Sequence, residues 1–106
     1  MTGLTRVIAL VGEHVREPLR PAELAAEAGC SLAVLERRTR RVLGISPAQL
    51  VLRARIDAAT ALLRDTATPL AEVAEACGFY DQPSFTRQFA RLSGETPGQF
   101  RRRSGR

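Results

Sequence analysis

Arg37 and Arg87 stand at matching places in a sequence that repeats itself, and further arginines follow each of them on the same helical face. A guanidinium presents a fork of donors that fits the O6 and N7 edge of guanine, and a carboxamide such as that of Gln82 fits the N6 and N7 edge of adenine. Projected at about 100° per residue, Ala33, Glu36, Arg37 and Arg40 share one side of a helix whose other side carries Leu35, Thr39 and Val42. In the second copy Pro83, Thr86, Arg87, Ala90 and Arg91 lie opposite Phe85, Phe89 and Leu92, with Gln82 at the helix start. These two faces have the chemistry to read base edges in a major groove. The alternative is a pair of ordinary solvated arginine faces; duplication of the same arginine weighs against it.

Other chemistries find little support. The carboxylates are scattered, no glycine-rich phosphate loop occurs, and His14 is isolated from any partner that would make a catalytic or metal-binding group. The expectation is no enzyme, no metal and no cofactor. Cys30 and Cys77 each adjoin a glycine at a helix end, and both are expected to be small buried apolar residues rather than a disulfide. All 16 basic residues are arginine. Residues 1–30 hold three arginines against four glutamates, whereas residues 31–106 hold thirteen against seven acids. A basic field gathered on one part of a small domain attracts polyanions. No apolar run reaches the roughly 20 residues of a membrane span and no signal-peptide pattern opens the chain, so a cytoplasmic location is expected.

The elements that must position these side chains are legible from the repeat. Leu24-Ala25 returns as Val73-Ala74 and Gly29 as Gly78, at an offset of 49. Beyond that glycine the offset is 50: Leu35 matches Phe85, Arg37 matches Arg87, Gly44 matches Gly94, and Ser46-Pro47 matches Thr96-Pro97. One residue inserted in the turn after Gly78 explains the change. Each copy reads as helix, tight turn, helix. Pro21 and Thr68-Pro69 open the first helices, Gly29 and Gly78 stop them, and Ser31 and Asp81 cap the second ones.

Three further helices flank these pairs. Leu4, Val7, Ile8, Val11 and Val15 give a first helix an apolar face. Ser46-Pro47-Ala48-Gln49 is a capping box that opens a long helix to about Leu63, with Leu50, Ile56, Ala59 and Leu63 available for packing. Thr96-Pro97-Gly98-Gln99 repeats the box before a short final helix with Phe100. No strand pattern occurs. The expected fold is all-α, with seven helices in two helix-turn-helix subdomains joined by a long linker helix: 5–45 the first unit, 46–64 the linker, and 68–102 the second unit.

With these residues in place the chain resembles the DNA-binding domain of AraC/XylS-family transcription regulators. Leu24-Ala25, Gly29, Ser31, Leu35 and Arg37 carry the likeness in the first unit, and Gly44-Ile45-Ser46-Pro47, Arg55 and Leu62-Leu63 in the connecting region. The densest match is Val73-Ala74, Gly78-Phe79, Asp81-Gln82, Phe85, Arg87 and Phe89, followed by Gly94-Glu95-Thr96-Pro97 and Phe100-Arg101.

The resemblance implies that helices three and six lie in adjacent major grooves on one DNA face. It places base contacts at Ala33, Glu36 and Arg37, and at Gln82, Pro83 and Arg87. It gives phosphate contacts to Arg40, Arg41 and Arg91, and to the hydroxyls of Ser31 and Thr86 as capping groups. Duplex DNA and RNA polymerase are the implied partners, with no membrane and no small-molecule effector in this chain. Either a stand-alone short regulator or a fragment of a longer one fits the length. The chain departs from the family pattern at Thr39, where an aromatic is usual, at Arg38, where an apolar residue is usual, and at Pro83, often polar. From Thr39 the first unit is expected to be less firmly packed than the second. A helical protein-interaction module is the competing class, and a steep loss of binding with salt separates the two.

Overall fold

The capping residues and the glycine stops that the repeat marks act where the sequence puts them. In a computed structural model describing residues 3–105, seven helices occur: α1 (Gly3–Glu13), α2 (Pro21–Ala28), α3 (Leu32–Leu43), α4 (Pro47–Asp65), α5 (Leu70–Ala76), α6 (Gln82–Ser93) and α7 (Pro97–Ser104). The described residues contain no strand. The chain divides within α4 into two compact units, one ending at Ala54 and the other beginning at Arg55.

The same local devices recur in both units. Gly29, Gly44, Gly78 and Gly94 have φ of 73°, 73°, 84° and 85°, the left-handed region in which a side chain would be strained. After α2, the Cys30 amide donates to the Ala25 carbonyl at 3.0 Å and the Gly29 amide to that of Ala26 at 3.1 Å. After α5, Phe79 and Gly78 make the same two bonds, to Ala74 at 3.0 Å and to Glu75 at 3.1 Å. This paired pattern closes a helix by satisfying its orphan carbonyls. It also equates Cys30 with Phe79, which makes Tyr80 the inserted residue. Thr68-Pro69 lies just outside its helix: α5 begins at Leu70, and Pro69 has the N-cap position without a side-chain bond.

Capping is equally duplicated. The Ser31 hydroxyl accepts from the Val34 amide at 3.2 Å, and the Asp81 carboxylate from the Ser84 amide at 2.8 Å. In both capping boxes, Ser46 with Gln49 and Thr96 with Gln99, the glutamine oxygen accepts from the cap amide at 2.8 Å. The cap hydroxyl in turn accepts from the glutamine amide at 3.2 Å. Each such cap is worth about 1 kcal/mol.

The first unit buries Val7 and Val11 of α1, Leu24 and Ala25 of α2, Leu35 of α3 and Val51 of α4 as one cluster, flanked by Leu10, Leu19 and Leu50. Three of its sequence-derived assignments change. Leu10, not Ile8, completes the inner face of α1; Ile8 is exposed, and Val15 lies beyond the helix end at Glu13. Cys30 is only half-buried, whereas Cys77 is buried as expected, and both are free thiols. Val42 points outward with 64% of its surface exposed, and its counterpart Leu92 is 45% exposed. Both sit in the last turn of their helices.

The second unit is built around rings. Phe79 lies 4.9 Å from Phe85, Phe85 5.8 Å from Phe89, and Phe89 5.7 Å from Phe100, centroid to centroid. All four phenylalanines of the chain are in this series. In the first unit the corresponding places hold Cys30, Leu35, Thr39 and Leu50. Thr39 is fully buried, and its hydroxyl donates to the Leu35 carbonyl at 2.7 Å, the back-bond that lets a polar group sit in a core.

Candidate nucleic-acid interface

Helix α3 buries Leu35 and Thr39, and α6 buries Phe85 and Phe89. Anchoring at positions four apart fixes which side of each helix faces solvent. On α3 that side exposes Ala33, Glu36, Arg37, Arg40 and Arg41, with the cap Ser31 exposed beside them. On α6 it exposes Gln82, Pro83, Arg87 and Arg91. Thr86 differs from the rest: it is half-buried in the second turn of α6, and the cap is Asp81, so the Thr86 hydroxyl is no capping group.

The arginines of the chain fall into two sets. Arg103 pairs with Glu95 at 3.0 Å and lies 5.4 Å from the Phe100 ring centre, and the Glu95 bond raises its guanidinium pKa above the ordinary arginine value. Arg101 donates to the Leu63 carbonyl at 3.2 Å, holding α7 to the end of α4, and Arg64 pairs with Asp65. Those side chains are already committed. Among the described residues, no ion pair engages Arg37, Arg40, Arg41, Arg87 or Arg91. A solvated arginine with no internal partner keeps its full set of donors for a phosphate or a base edge.

Gln82, Pro83, Thr86 and Arg87 together line a shallow open depression on the outer face of α6. One exposed residue nearby has no place in the sequence reading. Tyr80, the inserted turn residue, is 94% exposed and immediately precedes the cap of α6. The change of offset from 49 to 50 located the insertion, but nothing in the sequence said that Phe79 would turn inward and Tyr80 outward.

A short helix, a left-handed glycine turn and a capped second helix with unengaged arginines on its outer side make a helix-turn-helix DNA-binding unit, present here twice. A family described as a helix-turn-helix domain matches residues 24–103. The regulatory protein SoxS of Escherichia coli strain K12 is 31% identical over 92% of this chain and 91% of its own length. The regulator LumQ of Photobacterium leiognathi is 34% identical over 85% of this chain, which spans only 36% of that relative. An AraC-type regulator structure from Chromobacterium violaceum superposes with a TM-score of 0.92 at 29% identity, covering 96% of this chain and 91% of that one. The DNA-binding domain of AdpA, solved with its target DNA, gives 0.90 at 31% identity over 97% and 93%. The chain belongs to the AraC-type helix-turn-helix family, a family of transcription regulators that bind DNA.

Proposed function

We propose that the domain reads duplex DNA with α3 and α6 in successive major grooves of one DNA face, and that it does so as a monomer. The observation that carries this is the pair of matched outer faces, each with unengaged arginines behind a capped helix start. Recognition helices contact base edges near their N-terminal ends. Arg37 and Arg87 are therefore assigned to base edges, with Ala33, Glu36, Gln82 and Pro83 beside them. Arg40, Arg41 and Arg91, further along each helix, are assigned to phosphates, together with the hydroxyls of Ser31 and Thr86. Glu36, an acceptor only, suits the N4 amine of cytosine.

RNA polymerase is the second partner proposed, because relatives include the transcriptional activator RhaR of E. coli. No small-molecule effector is proposed for this chain. No helix among the described residues is long and apolar enough to cross a membrane, and the proposed place of action is the cytoplasm, with the DNA.

Two single variants test the assignment. Arg87→Ala is expected to lower specific affinity by about 1–3 kcal/mol and relax base preference at one or two positions. Arg91→Ala is expected to weaken all sequences alike and reduce the salt slope by about one phosphate contact. If Arg87→Ala lowers affinity uniformly, with base preference unchanged, Arg87 is a phosphate contact and the reading of α6 fails.

A further inference from the structure

The depression on α6 combines two chemistries. Arg87 and Gln82, two of its four lining residues, carry donors for purine edges, whereas most of its lining is carbon. Pro83 has no amide proton and presents an apolar ring; Thr86 adds a methyl group. Spacing of three and four along α6 puts Pro83, Thr86 and Arg87 on one face. A surface with this lining gains little from another polar edge, because Pro83 cannot donate. In a major groove, the apolar feature that distinguishes one base from the rest is the C5 methyl of thymine, and proteins meet it with apolar side chains.

We propose that Pro83 and Thr86 seat the C5 methyl of a thymine beside the base that Arg87 reads. The inference rests on α6 being a recognition helix, and it gives Pro83 a positive role in specificity. It also gives half-buried Thr86 a base contact through its methyl group as well as any phosphate contact through its hydroxyl.

Uracil differs from thymine only by that methyl, so it isolates the contact. A duplex selected from a random library by the chain itself is remade with each thymine replaced singly by uracil, and binding is titrated. One replacement is expected to weaken binding about fourfold, the value of one buried methyl group, and the others less than about twofold. In Pro83→Ser and Thr86→Ser, shown by circular dichroism to keep their helix, the sensitivity at that position should shrink toward the others. If no uracil weakens binding, or if the sensitive position is equally sensitive in both variants, the methyl seat is overturned. The Arg87 base preference, measured on the same duplex, shows separately whether α6 reads the groove at all.

Discussion

Replacing Phe89 by threonine would give the second unit the solution the first unit uses. Phe89 is fully buried and lies within 6 Å, centroid to centroid, of both Phe85 and Phe100. Truncating a buried phenylalanine to alanine costs about 3–5 kcal/mol. A threonine methyl recovers about 0.8 kcal/mol, and its hydroxyl can bond the Phe85 carbonyl as Thr39 bonds that of Leu35. The expected net cost is therefore about 2–4 kcal/mol, a large part of the stability of a domain this small. Thr39→Val should behave differently. It exchanges a hydroxyl for a methyl of the same shape, in a site whose neighbours already fit that shape, and is expected to stay within about 1 kcal/mol of the natural chain. Urea denaturation measures both variants, and amide hydrogen exchange assigns the change to helices. In the natural chain α2 and α3 should exchange faster than α5 and α6, because four rings hold the second unit and none holds the first. Equal protection in the two units, or a Phe89→Thr cost below about 1 kcal/mol, would refute the argument from the ring series.

Two other expectations follow from local geometry. Cys30, half-buried, should react with a thiol reagent in the native state, while Cys77 should react only as its unit opens. Burial raises the Cys77 thiol above its ordinary value, so the stability linked to it is intact below the usual thiol range and fades as pH climbs through the raised value. Fast labelling of both thiols at neutral pH would contradict the burial. Asp81→Ala removes the cap on Ser84 and should cost about 0.5–2 kcal/mol of thermal stability, with recovery in Asp81→Ser, read from melting curves.

Much of this was legible in the sequence because it is governed by neighbours in the chain. The capping boxes at Ser46 and Thr96, the left-handed glycines and the back-bond of Thr39 each depend on residues within five positions, and the repeat showed the boxes and the glycines twice. Faces that depend on a partner helix were less legible. Periodicity assigned Val42 and Leu92 inward, but it cannot show how far along a helix the core extends, and both are exposed in the last turn of theirs. Ile8 and Leu10 exchanged roles because both fall near the edge of one apolar stripe, and the packing of α2 and α3 decides between them. The capping role of Thr86 came with the family resemblance rather than from its neighbours in the chain, which already pointed to Asp81 as the cap. The outer faces of α3 and α6 were the easiest part of the site to find, since solvent exposure is what remains once four-spaced core residues are fixed.

The most direct measurement is hydroxyl-radical footprinting of the chain on its selected duplex, at a stoichiometry established by titration. One monomer should protect two patches on the same DNA face, with centres about 10 base pairs apart, one helical turn. A single short protected patch, or two patches that require two copies of the chain, would contradict reading by both helix-turn-helix units.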